Sequence, residues 1–188
     1  AVRWATRLIQ EGSNLWIFDL ETTGTDPATA EMVEVGIVNG LGETVYQTLV
    51  KPSGPIPSAA TRINGIDNRM VANAPNASAV IASLHSMLNR AITLTAWNFR
   101  YDFGVLKNSI LRYPQVGSNF QVGTKACAMK VYAHWNADWN PRHGDWRWVK
   151  LGDAAEACGI SSDNAHRAID DCMMTLGVLH WLAKQEVE

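Results

Sequence analysis

Residues 15–24 read Leu-Trp-Ile-Phe-Asp-Leu-Glu-Thr-Thr-Gly, and this stretch decides the interpretation of the fold. The apolar run 15–20 has the length and composition of a buried strand, and Thr-Thr-Gly is typical of a turn. Side chains on one face of a strand recur every second residue, so Asp19 and Glu21 should point the same way. An isolated Asp-x-Glu is usually two solvated acids, but the flanking apolar run favours a strand end that carries two converging carboxylates.

Strand-like sequence continues towards the C-terminus. Residues 32–39 and 43–50 are short apolar or alternating runs bounded by Gly-containing turns. Together with 15–20 they predict a three-stranded antiparallel meander. Residues 51–66 contain three prolines and no clear period, which predicts an ordered surface connection across the sheet.

The rest of the chain alternates between helical and strand-like patterns. Pro75 and Asn76 supply a helix start signal, and the apolar stretch 91–97 after that helix predicts a further strand. Helical patterns are found at residues 1–12 and around 101–112, 124–134, 150–158 and 165–185. This order predicts one α/β domain over residues 1–188, with a mixed sheet flanked by helices.

The composition is that of an ordinary globular domain, with 188 residues, 47% hydrophobic and 18% charged. No stretch approaches the roughly 18 consecutive apolar residues of a membrane span, so no membrane partner is expected. The net charge of −2 is unlike that of strongly basic nucleic-acid-binding domains. Three widely separated cysteines indicate neither a disulfide framework nor a zinc site, and favour a reducing, cytoplasmic location.

Two further acidic positions stand at predicted element boundaries. Asp102 follows the strand at 91–97, although an acid there could equally serve a helix N-terminus. His166 precedes Asp171 by five residues at the entry to the last helix. Five helical residues turn through about 500°, so His166 must lie in the preceding loop to share a site with Asp171. Helical phase does not separate Asp170 from Asp171, and that choice stays open on the pattern alone.

Three segments in chain order carry a family resemblance: 18–24 (FDLETTG), 97–103 (WNFRYDF) and 166–171 (HRAIDD). They resemble the motifs of the DEDDh 3'→5' exonuclease family, which includes the proofreading exonuclease subunits of bacterial DNA polymerases. Each motif is weak alone, but their order and placement make a specific signal over roughly residues 15–176. The resemblance implies a ribonuclease H-like fold, with a five-stranded mixed sheet of three antiparallel strands followed by helix-linked strands.

The resemblance also implies a catalytic site. Asp19, Glu21, Asp102 and Asp171 would be metal ligands and His166 a general base, which selects Asp171 over Asp170. Carboxylate oxygens suit hard cations, so two divalent ions, Mg²⁺ or Mn²⁺, are expected as cofactors. The implied reaction hydrolyses phosphodiester bonds at the 3' end of a nucleic acid and releases nucleoside 5'-monophosphates.

Candidate substrate contacts surround these residues. The resemblance implies that Thr22 and Thr23 offer backbone N–H or hydroxyl groups to the terminal nucleotide, while turn chemistry explains the hydroxyls equally well. Ile63 and Ile66 are candidates for packing on the terminal base, with Ile66 favoured and a core role as the alternative.

Two positions depart from the family pattern. Asn64-Gly65 stands where many relatives carry His-Gly, and Phe99 stands where a small residue often follows the asparagine. Asn98 and Phe99 are still expected to border the substrate. The departures therefore concern the substrate groove and leave the metal ligands intact.

Residues 134–150 mix aromatic and basic side chains in a way that suits stacking of single-stranded bases. Packing in a satellite core is the favoured interpretation of most of them, with one or two left to touch substrate. The tryptophans are Trp135, Trp139, Trp146 and Trp148.

DNA is favoured over RNA as the substrate, because Glu21-Thr22-Thr23-Gly24 resembles the DNA-acting members more than the oligoribonuclease type. An RNA-directed exoribonuclease is one alternative. A non-catalytic module that binds nucleic acid or a polymerase is another, although all five expected active-site residues are present. The resemblance also favours a role in proofreading or DNA repair, with a polymerase or repair protein as partner.

Overall fold

The computed structural model describes residues 1–88, 91–114, 122–161 and 166–186. Its main sheet has five strands in the order β3-β2-β1-β4-β5. β1 pairs antiparallel with β2 and β2 with β3, whereas β4 joins β1 and β5 joins β4 in parallel. This is the predicted mixed sheet. Its strands are β1 (Leu15–Thr22), β2 (Met32–Asn39), β3 (Thr44–Leu49), β4 (Thr93–Ala96) and β5 (Thr124–Cys127).

Helices lie on both faces of this sheet, and a small ribbon is formed by two short strands outside it. Every helix in the described ranges is too short or too polar to cross a bilayer. The helices are α1 (Val2–Gln10), α2 (Ser58–Asn64), α3 (Ala77–Leu88), α4 (Phe99–Arg112), α5 (Ala128–Asn136), α6 (Leu151–Ala157) and α7 (Ala168–Ala183). The ribbon consists of β6 (Trp139–Asn140) and β7 (Asp145–Trp146).

The alternation of β1 divides the apolar side chains between two cores. Trp16, Phe18 and Leu20 pack with α3 and α4, whereas Leu15 and Ile17 pack with α1, α5, α6 and α7. A strand covered on both faces needs apolar residues at both phases, which explains the continuous apolar run. The two acids stand at the end of this doubly buried strand.

The first turn of α7 lies directly against β2 at Gly36. A Cβ placed on Gly36 would lie 2.7 Å from the carbonyl carbon of Ala168 and 2.8 Å from the backbone nitrogen of Ile169. Gly36 is also the cross-strand partner of Asp19. The missing side chain therefore allows the start of α7 to approach the part of β1 that carries the acids.

Three predicted segments are corrected by the structure. The connection 51–66 contains the short helix α2, which the prolines and its length of seven residues concealed. Residues 124–127 form the edge strand β5 and not the start of a helix, because four residues are too few to show a period. The helix predicted from residue 165 begins at Ala168, and residue 165 itself lies outside the described residues.

Candidate active site

The acids converge at the end of β1. Asp19, Glu21 and Asp171 each place one carboxylate oxygen within 4.8 Å of the others. Asp171 belongs to the first turn of α7 and Asp102 to the first turn of α4. Asp102 is buried, and its Oδ1 accepts a hydrogen bond of 3.3 Å from the backbone N–H of Leu20. Three elements thus bring four carboxylates to one place.

All four acids line one cleft of about 610 Å³ together with His166. The turn after β1 and residues of α2 form one wall, and the end of β4, the start of α4 and the start of α6 contribute the rest. This volume is within the range of small-molecule sites in proteins. The cleft can therefore admit a ligand of nucleotide size to the carboxylates.

Burial and mutual repulsion shape the protonation of the cluster. Burial raises the pKa of Glu21 to about 7, with the negative charge of Asp171 as the next cause. Burial likewise raises the pKa of Asp102 to about 8. The pKa values of Asp19 and Asp171 are also raised, and burial is again the first cause. A bound cation would offset this repulsion, and an all-carboxylate donor set fits a hard divalent ion.

His166 lies in the segment before α7, where the sequence required it to be. Its backbone φ of 70° is in the left-handed region, which few residues other than glycine adopt. Its backbone N–H donates to Oδ1 of Asp171 at 3.0 Å. The side chain is exposed and lines the cleft beside Asp171. An imidazole and a carboxylate cluster therefore face the same space.

An ion pair that the sequence did not reveal anchors this segment to the sheet. Nε and a terminal nitrogen of Arg167 donate to the two carboxylate oxygens of Glu34 at 3.0 and 2.7 Å. The backbone N–H of Ala168 donates to the same carboxylate at 3.0 Å. Glu34 is fully buried and is the cross-strand partner of Glu21. The pair thus fixes the entry to α7 next to the acids.

We expect Arg167→Ala to lower the free energy of unfolding by about 2–4 kcal/mol, because the carboxylate of Glu34 would stay buried without its partner. The melting temperature should fall by roughly 5–12 °C, as measured by thermal unfolding. Arg147→Ala is the matched control, since Arg147 pairs with Asp138 through two half-exposed side chains. The free energy of unfolding of that variant should fall by at most about 1 kcal/mol. Small, equal losses in both variants would contradict the anchoring role.

The threonines after β1 use their hydroxyls within the turn. The hydroxyl of Thr22 donates to the Gly24 carbonyl at 2.8 Å and lies 2.7 Å from the hydroxyl of Tyr101. The hydroxyl of Thr23 accepts the backbone N–H of Glu31 at 2.9 Å. Both threonines border the cleft, and turn chemistry accounts for these hydroxyl contacts.

The expectation for Ile66 is corrected. Ile66 is 0% exposed and packs in a small core with Val33 and Ile56, whereas Ile63 is 57% exposed and lines the cleft. Gly65, with a φ of 70°, ends α2 and turns the chain inward between these two isoleucines. Of these two isoleucines, Ile63 is therefore the one whose side chain is available to a ligand.

The side chains of Asn98 and Phe99 have different surroundings in the structure. Asn98 precedes α4 and lines the cleft. Phe99 packs its ring on Phe18 at 5.8 Å and on Phe103 at 5.0 Å, and it borders a smaller neighbouring cavity. Phe99 is thus mainly a packing residue next to the smaller cavity.

Tyr101 is a cleft residue that sequence reasoning missed, whereas Asn64 was expected at the substrate groove without an assigned contact. Tyr101 lies between the two motif residues Phe99 and Asp102 and binds the turn through Thr22 and the Gly24 carbonyl. Asn64 donates to the Thr22 carbonyl at 3.3 Å, and its side chain also lowers the pKa of Glu21. Only the position of Tyr101 one residue before Asp102 gave a signal that could have singled it out.

Comparisons with known proteins agree with this geometry. A family model described as Exonuclease, RNase_T, matches residues 16–179. Uncharacterized exonuclease CP81 of Escherichia phage 186 is 36% identical over 170 residues, which cover 88% of this chain and 86% of the phage protein. The PolC-type DNA polymerase III of Clostridium perfringens (strain 13 / Type A) is 29% identical over 175 residues, which cover 92% of this chain and 11% of the polymerase.

Solved structures of exonuclease I share the fold. The zinc-bound E. coli ExoI–ssDNA complex superimposes with a TM-score of 0.69 at 22% identity, covering 86% of this chain and 38% of that one. An apo exonuclease I gives a TM-score of 0.70 at 21% identity, covering 90% of this chain and 41% of that one. This chain thus spans less than half of these proteins. The likeness confirms the ribonuclease H-like fold, and the family match over residues 16–179 shows that the chain belongs to this family of exonucleases.

Proposed function

We propose that this chain is a metal-dependent 3'→5' exonuclease that removes nucleotides from single-stranded or frayed DNA ends. The observation that carries the proposal is the approach of Asp19, Glu21 and Asp171 to within 4.8 Å, beside Asp102 and His166 in one cleft. The relatives named as DNA polymerases and the exonuclease I bound to single-stranded DNA support DNA as the substrate.

The four carboxylates would hold two divalent cations, Mg²⁺ or Mn²⁺, which when bound neutralise the phosphate and polarise its oxygens. His166 takes the proton of the water whose oxygen bonds to the terminal phosphorus. The bond from phosphorus to the 3'-oxygen of the preceding nucleotide breaks, that oxygen takes a proton from solvent to become the new 3'-hydroxyl, and a nucleoside 5'-monophosphate is released. Asp171 accepts the backbone N–H of His166 and so positions this residue. The exposed side chain of Ile63 offers an apolar wall to the terminal base.

The proposal is tested with 5'-labelled single-stranded DNA and RNA of the same sequence in Mg²⁺, with EDTA as control. A ladder that shortens from the 3' end is expected with DNA. Immediate release of the labelled mononucleotide would indicate the opposite polarity. Faster degradation of RNA would assign the enzyme to RNA turnover, and absence of cleavage of both strands would support a binding module.

A role beside a DNA polymerase is favoured by the match to PolC-type DNA polymerase III. We propose that the chain trims primer ends in proofreading or repair, in contact with a polymerase or repair protein. A mismatched primer terminus should then be degraded faster than a matched one, because fraying supplies a single-stranded end.

Free thiols at Cys127, Cys158 and Cys172 support a reducing, cytoplasmic location.

We expect Mg²⁺ to raise the melting temperature, and to raise it more at pH 8 than at pH 6. The folded-state pKa values of Glu21 and Asp102, about 7 and about 8, lie above those of unfolded carboxyl groups. The metal-free folded protein therefore binds more protons than the unfolded chain between about pH 4 and 8, and loses stability as the pH rises through this range. Bound Mg²⁺ offsets the repulsion between the carboxylates. At a Mg²⁺ concentration a hundredfold above its Kd, the free energy of unfolding should rise by about 3 kcal/mol.

Thermal unfolding in EDTA and in Mg²⁺ at both pH values measures this effect. Asp19→Asn should weaken the Mg²⁺-dependent increase, whereas Asp138→Asn, a change of a half-exposed acid on another surface, should preserve it. The same melting temperature with and without Mg²⁺ at pH 8 would contradict a formed cation site.

A further inference from the structure

The tryptophans of segment 134–150 fall into two groups. Trp135 packs edge-on against Trp181 at 4.7 Å between ring centres. Trp139 and Trp146 pair across the β6–β7 ribbon at 5.1 Å, and Trp146 also contacts the ring of His134 at 5.4 Å. These three side chains are engaged in packing. Trp148 lies beyond the ribbon and is 52% exposed.

Trp148 borders two cavities that continue from the acidic cleft. A cavity of about 550 Å³ shares Trp97, Asn98, His166 and Asp171 with the cleft and has Trp148 on its wall. A second cavity of about 220 Å³ shares Asn98, Met129 and Trp148 with the first. The cleft and the two cavities adjoin through these shared residues, so together they extend from the carboxylates past the half-exposed indole of Trp148. We call these two cavities the Trp148 groove.

The charge of the smaller cavity of the Trp148 groove is opposite to that of the cleft. Lys150 borders its first cavity, and Arg100 and Lys130 border the second. Apart from Asp171 of the acidic cluster, Asp153 is the acid on the described walls of the groove. Because the whole chain has a net charge of −2, this concentration of cations is local. Cations beside an exposed aromatic face match the alternating phosphates and bases of a single strand.

We propose that the Trp148 groove binds the single-stranded segment immediately upstream of the terminal nucleotide, with one base stacked on Trp148 and its phosphates near Arg100 and Lys130. The inference rests on the proposed function, since it takes the scissile phosphate to lie at the carboxylates. Trp148 is a substrate-binding residue in this arrangement, and its role needs a substrate longer than one nucleotide.

The test compares a minimal substrate with a long one. The p-nitrophenyl ester of thymidine 5'-monophosphate occupies the acidic cleft alone, whereas an oligothymidylate also fills the groove. In Trp148→Ala, the kcat/KM for the oligonucleotide divided by that for the ester is expected to fall at least fivefold, the lower end for loss of one base–aromatic stack. The lower ratio should come from a higher KM for the oligonucleotide. Trp148→Phe, which keeps an aromatic face, should restore most of the ratio.

Trp139→Ala is the matched control. Trp139 is 50% exposed, close to the 52% of Trp148, but it belongs to the β6–β7 ribbon and is not among the described residues that line the groove. Its ratio should equal that of the wild type. An unchanged ratio in Trp148→Ala, or the same decrease in both alanine variants, would overturn the inference.

A binding measurement tests the groove even if the proposed reaction is wrong. If the wild type cleaves neither substrate, the proposed reaction is wrong, and fluorescence anisotropy with a labelled oligothymidylate in EDTA then tests the groove alone. Binding at least fivefold weaker in Trp148→Ala than in Trp139→Ala would support it. Equal binding by the two variants, or no binding by the wild type, would overturn it.

Discussion

Asp171→Asn is expected to lower kcat for DNA hydrolysis by roughly a thousandfold, equivalent to ~4 kcal/mol of activation free energy. The substitution keeps the size of the side chain but removes one negative oxygen from a cluster whose ligand atoms lie within 4.8 Å of one another. Steady-state cleavage of 5'-labelled DNA at saturating Mg²⁺ measures the loss. The metal-free variant should not be less stable at pH 8, since a repulsive charge has been removed.

Asp170→Asn is the matched control for this change. Asp170 neighbours Asp171 in the first turn of α7, but it is not among the described residues that line the cleft or form the acidic cluster. Its turnover should stay within about twofold of the wild type, because a charge outside the cluster adds little to cation binding. Equal losses in both variants would show that the general acidity of the helix start matters, and not one ligand.

Replacement of His166 is expected to lower kcat by about 10²–10⁴-fold, the usual contribution of a general base. The increase in melting temperature caused by Mg²⁺ should persist, because the carboxylates are untouched. His166→Asn is preferable to His166→Ala, since φ is 70° at this position and asparagine tolerates the left-handed region better than alanine. The measurements are single-turnover cleavage and thermal unfolding with and without Mg²⁺.

Two comparisons separate the imidazole from the backbone at this position. His166→Gly relieves any strain at φ 70° and should be as inactive as His166→Asn. His143→Ala, at an exposed histidine of the β6–β7 turn, should retain full activity. More than a tenth of the wild-type activity in His166→Asn would show that another group accepts the proton.

The local chemistry of the sequence was sufficient for much of the fold. The apolar run of β1 and the alternation that places Asp19 and Glu21 together both depend on residues a few positions apart. The start signal at Asn76 is likewise local, and its Oδ1 accepts the N–H of Ala79 at 3.0 Å. The turn angle of a helix required His166 to lie outside α7 if it shares a site with Asp171, and α7 begins at Ala168. The family resemblance was needed to choose Asp171 over Asp170.

Features that depend on distant contacts escaped prediction. The pair of Glu34 and Arg167 joins residues 133 positions apart, and neither residue belongs to a periodic pattern that indicates the other. Ile63 and Ile66 have the same side chain, so only the turn at Gly65 decides which one faces the cleft. Strand β5 owes its conformation to its pairing with β4 more than to its own four residues.

Glycine at position 36 places a restriction on sequence variation that the chemistry alone would not suggest. The acids must be acids because of charge, but position 36 must be small because the backbone of α7 occupies the place of its Cβ. Even an alanine there would separate Asp19 and Glu21 on β1 from Asp171 on α7 while leaving every ligand in the sequence. Mutational tolerance at this residue should therefore be as low as at the acids, although it has no functional group to lose.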